Sequence, residues 1–165
     1  MKISSCLGAA LSLVLSCSFA QAVELRVKVE GVTSSKGTLM VGLYDTEEHF
    51  NLAIADAAKL SLVDNPSRLV GIAMRARAGE QIVVFTNLEP GTYAVIVIHD
   101  ENDNGKLDEG LFGSPLEGYG FSNDAAGFFA APSFKDAGVL LGATDSAISI
   151  TLKSPAGVIP QKKQK

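Results

Sequence analysis

The sequence Val23-Glu24-Leu25-Arg26-Val27-Lys28-Val29 alternates strictly between apolar and charged side chains. Successive side chains of a β-strand point to opposite faces of the sheet, so this pattern predicts a strand with one face in a core and the other in solvent. The same alternation returns in Thr38 to Tyr44, after a turn at Ser34-Ser35-Lys36-Gly37. The two stretches therefore predict a hairpin.

The rest of the pattern predicts more strands and one short helix. Strands are expected at 69–77, 81–87, 92–99, 138–141 and 147–153, about seven in all. Tyr93 to Ile98 is apolar on both faces, so we expect this strand in the centre of its sheet. The helix is expected within Asp45 to Ala58, because Asp45 and Glu48 have the spacing of a capping box.

The order of these elements shows no strand–helix–strand rhythm, which favours an all-β fold, an antiparallel Greek-key-like β-sandwich. The turn Leu88-Glu89-Pro90-Gly91-Thr92-Tyr93 resembles the L-x-P-G-x-Y turn of transthyretin-like and Cna-B-type sandwich modules. Pro90 and Gly91 suit the two central positions of a tight turn. We expect the Tyr93 hydroxyl to donate to nearby backbone, as tyrosine corners do in immunoglobulin-like sandwiches.

The N-terminus has the order of a secretory signal peptide: Met1-Lys2, an apolar stretch from Leu7 to Phe19, and then Ala20-Gln21-Ala22. We therefore expect residues 1–22 to be removed and the protein to be periplasmic or extracellular. The alternative is a lipid anchor on Cys17, because Val14-Leu15-Ser16-Cys17 resembles a degenerate lipobox. No later apolar run approaches the roughly 20 residues of a spanning helix, so no transmembrane segment is expected.

The mature chain is expected to form a single domain over residues 23–154, followed by a flexible C-terminal tail at 155–165. Both cysteines, Cys6 and Cys17, belong to the leader. The mature domain therefore has no disulfide, and its stability must come from packing.

The net charge of the mature chain is concentrated in one segment. After residues 1–22 are removed, 13 basic and 18 acidic residues remain, a net charge of −5. Residues 100–135 hold seven acidic residues and two lysines, so they account for all of it. Such a segment attracts cations rather than phosphates, and we expect no nucleic-acid partner.

The acidic loop, residues 100–108, reads Asp100-Glu101-Asn102-Asp103-Asn104-Gly105-Lys106-Leu107-Asp108. Its spacing is typical of a calcium loop with Gly105 at the sharp turn. The expected Ca²⁺ ligands are Asp100, Asn102, Asn104, the Lys106 carbonyl and Asp108. Leu111 stands where an EF-hand has a bidentate Glu, so binding would be weak, with a Kd on the order of 10⁻⁴ to 10⁻³ M. The alternative is a metal-free turn, which the same residue types also favour.

Several aromatic residues follow the acidic loop: Phe112, Tyr119, Phe121, Phe128, Phe129 and Phe134. A disordered segment would be poor in aromatic residues, so a long ordered loop is expected. Tyr119 and Phe121 are expected to support the loop or to contact an envelope ligand such as a glycan or peptide. A binding module would expose some of these rings, whereas a purely structural module would bury them all.

His99 lies beside Asp100 at the end of the predicted central strand, where we expect it to order the loop through a hydrogen bond. The alternative is a secreted hydrolase that uses His99, Asp100 and Ser122. However, Gly120-Phe121-Ser122-Asn123-Asp124 has Asp in place of the last Gly of the nucleophile motif G-x-S-x-G. A noncatalytic binding or structural role in the bacterial envelope is therefore preferred.

Six segments together are similar to one family. They are Gly31-Val32, the Gly37 to Asp45 strand, Leu88-Glu89-Pro90-Gly91-Thr92-Tyr93, the His99 to Asp108 stretch, Glu117-Gly118-Tyr119-Gly120-Phe121-Ser122-Asn123 and Pro132-Ser133-Phe134-Lys135-Asp136-Ala137. Over nearly the whole mature length the chain resembles the bacterial family catalogued as domain of unknown function 2141. The resemblance implies an exported, sandwich-like domain without an established activity. Residues 126–131 lack the basic residue expected there, which argues against anion binding by that stretch.

Overall fold

The computed structural model describes residues 22–127 and 130–153. Most of the expected signal peptide, with the alternative lipid site at Cys17, lies outside these residues. So do the expected tail at 155–165 and two of the loop aromatics, Phe128 and Phe129.

Within the described residues the chain forms eight strands and two α-helices. The elements are β1 (Val23–Val32), β2 (Thr38–Tyr44), α1 (Glu47–Asp56), β3 (Val70–Arg75), β4 (Gly79–Leu88), β5 (Gly91–Asp100), β6 (Gly118–Phe121), α2 (Phe134–Ala137), β7 (Val139–Leu141) and β8 (Ser146–Thr151). Short 3-10 turns lie at Leu111–Gly113 and Ser122–Asp124.

The strands form two sheets, which confirms the expected all-β sandwich. One sheet has the order β4-β1-β8, and the other has the order β3-β2-β5-β6 with β7 paired to the start of β5. The strand pairs are antiparallel except β1 and β8, which run parallel. As expected, β5 is central in its sheet.

The predicted hairpin between the first two strands is wrong. β1 pairs with β4 and β8, whereas β2 pairs with β3 and β5, so the chain crosses from one sheet to the other between Val32 and Thr38. Alternation determines which side chains of a strand enter the core, but it does not determine the neighbouring strand. Val27 and Val41 both enter the core between the sheets, from opposite sides.

The core between the sheets is built from the inward-facing residues of both. Its members include Leu25, Val27, Val29, Leu39, Val41, Leu43, Phe85, Val95 and Val97. Tyr93 closes one corner of this core, where its hydroxyl donates to the Glu89 carbonyl at 2.8 Å. The expected tyrosine corner is therefore confirmed.

A second core lies on the outer face of the β3-β2-β5-β6 sheet, beneath α1, α2 and the long loop that follows β5. Phe50 of α1 lies at its centre, fully buried, and makes edge-to-face contacts with three rings. These are Tyr44 at 6.0 Å, Phe121 at 6.1 Å and Phe134 at 5.9 Å between ring centroids. This third layer buries the second face of β5 and positions the long loop.

The N-cap of α1 differs by one residue from the prediction. Thr46 caps the helix, and its hydroxyl accepts the His49 backbone N–H at 3.3 Å. Asp45 lies one residue earlier, with a carboxylate oxygen 3.8 Å from the His49 ring. Asp and Thr are both favoured at the N-cap, so the sequence pattern alone does not decide between Asp45 and Thr46.

Candidate functional site

The acidic loop begins at the end of β5, and the buried side chain of Asp100 organises its first turn. One Asp100 carboxylate oxygen accepts the Asn104 backbone N–H at 3.1 Å, and the other accepts that of Gly105 at 2.7 Å. Gly105 has a φ of +81°, which glycine adopts without the strain that other residues meet there. Asp100 thus holds a tight turn at the rim of the sheet.

The next side chains of the loop converge on Asp108. The Asn102 amide donates to one Asp108 carboxylate oxygen at 2.7 Å, and the Asn104 amide donates to the other at 2.8 Å. The Asn oxygens face backbone instead, because they accept the N–H groups of Asn104 and Lys106 at 3.1 Å each. The loop is therefore closed by its own hydrogen bonds. Among the described residues, no cluster of three or more His, Cys, Asp or Glu side chains has the arrangement of a metal site.

Glu117 links the two ends of the acidic loop by hydrogen bonds, a role the sequence did not reveal. Its buried carboxylate accepts the backbone N–H of Glu101 at 2.9 Å and that of Asp108 at 3.0 Å. Burial raises the pKa of Glu117, and these two hydrogen bonds oppose the rise. The residue acts as a crosslink within the loop.

His99 and Ser122 are buried in separate places. His99 faces the core between the sheets, and its Nε2–H donates to the Lys36 carbonyl at 2.9 Å. The Ser122 hydroxyl donates to the Ala137 carbonyl and accepts the Val95 N–H at 2.9 Å. The hydrogen bond to Val95 marks the position of Ser122 along β5. Val95 and His99 are four residues apart on this strand, so Ser122 and His99 lie about 13 Å apart along it. The structure does not bring together the pair that the hydrolase alternative requires.

A cavity of about 510 Å³ lies beside the acidic loop, on the outer face of the β3-β2-β5-β6 sheet. Ile96 and Ile98 of β5 form its floor. Ile54 of α1 lines one side, and Leu107 of the acidic loop lines another. The Leu107 N–H donates to the Ala57 carbonyl at 2.8 Å, which fixes the end of the acidic loop to α1. The acidic loop is therefore part of the cavity wall.

The loop aromatics divide between packing and the cavity. Phe121 is buried against Phe50 and Tyr119, so it pins the loop to the sheet. Tyr119 is half-buried and lines the cavity, whereas Phe112 is fully exposed at the cavity rim. Phe112 also has a φ of +63°, a left-handed conformation that is unusual for a bulky residue. The rings are not all buried, which is the arrangement expected of a binding module.

Lys153 brings a positive charge to the cavity wall from the far end of the chain. β8 ends at Thr151, two residues before the predicted end, and Lys153 forms a separate backbone bridge with Tyr119. The Lys153 N–H donates to the Tyr119 carbonyl at 2.7 Å, and the Tyr119 N–H donates back at 3.2 Å. The Lys153 ammonium donates to the Ala125 carbonyl at 3.2 Å.

No described helix is long and apolar enough to cross a membrane. The family model described as "Uncharacterized protein conserved in bacteria (DUF2141)" matches residues 27–149. The match includes the acidic loop and most of the cavity wall. No curated protein and no solved structure matches the chain.

Proposed function

Since the chain belongs to DUF2141, a family described as uncharacterized and conserved in bacteria, we propose a function from the cavity itself: the protein is an exported, noncatalytic domain that binds a small, mainly apolar molecule. The ligand lies on Ile96 and Ile98, between α1 and the loop that follows β5. The family assignment agrees with the resemblance of the sequence.

The observation that carries this proposal is the cavity with an exposed, strained aromatic residue at its rim. A volume of about 510 Å³ lies within the range of small-molecule sites, which are concave, mostly apolar and lined by a few polar groups. The left-handed backbone of Phe112 costs about 1–2 kcal/mol and keeps an apolar ring in water. Strain of this kind is common where a loop contacts a ligand.

A binding role is favoured over a catalytic role because the reactive side chains are already used in hydrogen bonds within the fold. His99 and Ser122 each make hydrogen bonds that fix the fold, and neither lines the cavity. Export is part of the proposal because the sequence of residues 1–22 has the pattern of a secretory leader. Mass spectrometry of the protein recovered from the periplasm tests it, since cleavage after Ala22 gives a chain that begins at Val23.

A second candidate is weak Ca²⁺ binding at the acidic loop. The observation that favours it is the convergence of the Asn102, Asn104 and Asp108 side chains. A bound cation would require both amides to turn their oxygens towards Asp108, at the loss of two hydrogen bonds to backbone. This cost agrees with the low affinity expected from the sequence.

The cavity proposal is tested with Nile Red, a neutral dye whose fluorescence rises in apolar surroundings. Ala126 is exposed and lines the cavity, so Ala126→Trp places an indole in the ligand space without disturbing either core. Ala143→Trp is the matched control, because Ala143 is exposed and away from the cavity. We expect saturable binding to the wild type and the control, and loss of binding in Ala126→Trp. Equal binding by both variants, or no binding by the wild type, contradicts the proposal.

A further inference from the structure

We infer that the ligand of the cavity is an amphipathic carboxylate, with its acid group at Lys153 and its apolar body on Ile96 and Ile98. This inference rests on the proposed function, because it specifies the chemistry of the molecule that the cavity binds. The sequence argued against anion binding at residues 126–131, since that stretch has no basic residue. The structure brings Lys153 to this place from the end of the chain.

Backbone hydrogen bonds set the position of the Lys153 main chain, and one further hydrogen bond holds its ammonium. Two reciprocal backbone hydrogen bonds hold the main chain opposite Tyr119, whose ring also lines the cavity. The ammonium then reaches the Ala125 carbonyl at 3.2 Å and lies 6.0 Å from the centre of the Tyr119 ring. An ammonium held in this way can orient a ligand, because part of the ordering of its side chain precedes binding.

The Lys153 ammonium has hydrogen-bonding capacity left for a ligand. It carries three donors, and one of them is used by the Ala125 carbonyl. Among the described residues, no carboxylate lies within 4.0 Å of it. The Tyr119 ring contributes little at 6.0 Å, which is about the outer limit of a cation–π contact. A half-buried ammonium beside apolar walls is stabilised most by an anion.

A single carboxylate matches this site better than a phosphate. Lys153 is the only basic residue among the described residues that line the cavity. Phosphate groups carry more charge and are usually held by several donors or by the planar fork of arginine. One lysine ammonium and one carboxylate balance each other without a further partner.

The acidic residues nearby do not outweigh the attraction of Lys153 for an acid group. Glu109 also lines the cavity but is exposed, so its charge is largely solvated and repels a bound carboxylate only weakly. The net negative charge of residues 100–135 acts at longer range, where salt screens it over about 8 Å at physiological ionic strength. The direct contact with Lys153 therefore makes the cavity prefer an anionic ligand to a neutral or cationic one.

The test compares three probes of equal chain length, decanoate, decanol and decylamine, by isothermal titration calorimetry at neutral pH. The proteins are the wild type, Lys153→Gln, Lys153→Arg and Lys36→Gln. Lys36 is the matched control, because its side chain is exposed, lies outside the cavity and carries the same charge. We expect the wild type and Lys36→Gln to bind decanoate about fivefold more tightly than decanol, the effect of one partly exposed ion pair.

The variants at Lys153 separate recognition of the acid group from general stability. Lys153→Gln should bind decanoate and decanol equally, and Lys153→Arg should restore the preference for decanoate. If Lys153→Gln keeps the preference, or if decylamine binds the wild type most tightly, the inference is overturned although the cavity still binds apolar molecules. Equal binding of decanoate and decanol to the wild type also overturns it. If no probe binds the wild type, both the inference and the proposed function fail.

Discussion

The buried Glu117 carboxylate accepts the backbone N–H of Asp108 at 3.0 Å and so closes the acidic loop against β6. The same carboxylate accepts the N–H of Glu101 at 2.9 Å, at the start of the loop. Both ends of the acidic loop therefore depend on one side chain. Since Leu107 at the end of the loop lines the cavity, this crosslink also supports the proposed binding site.

Replacement of Glu117 by Ala should destabilise the protein. An alanine side chain has no acceptor, so the backbone N–H groups of Glu101 and Asp108 both lose their partner. We expect a loss of about 1–3 kcal/mol in the free energy of unfolding, measured by urea denaturation. Glu109→Ala is the control, and because Glu109 is exposed it should change stability by less than about 0.5 kcal/mol. Equal effects of the two variants would show that the crosslink is unimportant.

The pH dependence of stability should report the same residue. Burial raises the pKa of Glu117, so the folded chain binds this proton more tightly than the unfolded chain does. The contribution of the group to the free energy of unfolding is therefore largest below its unfolded pKa and is lost as pH rises through the raised folded pKa. The stability difference between the wild type and Glu117→Ala should shrink over this acid range and then level off. Urea titrations across it measure the difference, and growth with rising pH would contradict the prediction.

The tyrosine corner gives a test of the sandwich itself. Tyr93→Phe removes the hydrogen bond to the Glu89 carbonyl and should cost about 0.5–1.5 kcal/mol in the free energy of unfolding. Tyr119→Phe is the matched control, because no hydrogen bond of the Tyr119 hydroxyl is present among the described residues. Thermal or urea unfolding distinguishes the two variants. A loss in Tyr119→Phe as large as in Tyr93→Phe would argue against a special role of the corner.

Phe112 should show opposite effects on stability and binding. Glycine adopts the left-handed conformation without strain, so Phe112→Gly should leave the free energy of unfolding unchanged or raise it by up to about 1 kcal/mol. Leu111→Gly is the control; Leu111 is not left-handed, and the change should cost about 0.5–1 kcal/mol. Nile Red binding should weaken in Phe112→Gly, because the cavity rim loses its ring. Unchanged binding would remove Phe112 from the proposed site.

Calcium should stabilise the protein if the second candidate function is correct. A ligand that binds only the folded state raises the free energy of unfolding by about 1.4 kcal/mol at tenfold its Kd. Thermal melts in EDTA and in millimolar Ca²⁺ measure this, with Asp108→Asn as a variant that retains the size of the side chain but not its charge. We expect the wild type to gain stability in Ca²⁺ and the variant to gain less. Superimposable melts in EDTA and Ca²⁺ would show that the acidic loop is a metal-free turn.

Local patterns in the sequence predicted local features of the fold. The alternation from Val23 to Val29 gives a strand whose valines are buried, and the Pro90-Gly91 turn places Tyr93 at its corner. β6 was missed because Gly118 and Gly120 are unfavourable in strands. The structure explains Gly120, since a Cβ there would lie 2.7 Å from the Ile150 side chain of the opposite sheet.

The candidate site was only partly predictable, because it combines a local motif with elements that are distant in the sequence. Asp100, Asn102 and Asn104 lie two residues apart, and their spacing alone indicated a turn that gathers polar side chains. The cavity combines α1, β5, β6 and Lys153, which are distant in the sequence. Sequence periodicity shows which residues are buried but not which distant elements leave a space between them. The one feature of the sequence that pointed to the cavity was the apolar outer face of β5.

The proposed function requires a ligand-binding cavity on the outer face of the β3-β2-β5-β6 sheet. The most direct measurement is a titration of methyl-labelled protein with decanol, followed by NMR. We predict saturable shifts in the methyl signals of Ile54, Ile96, Ile98 and Leu107, which line the cavity, while those of Val27 and Val41 in the core between the sheets stay unchanged. Shifts confined to exposed residues such as Ile82 and Leu140, or no saturable shift at all, would contradict it.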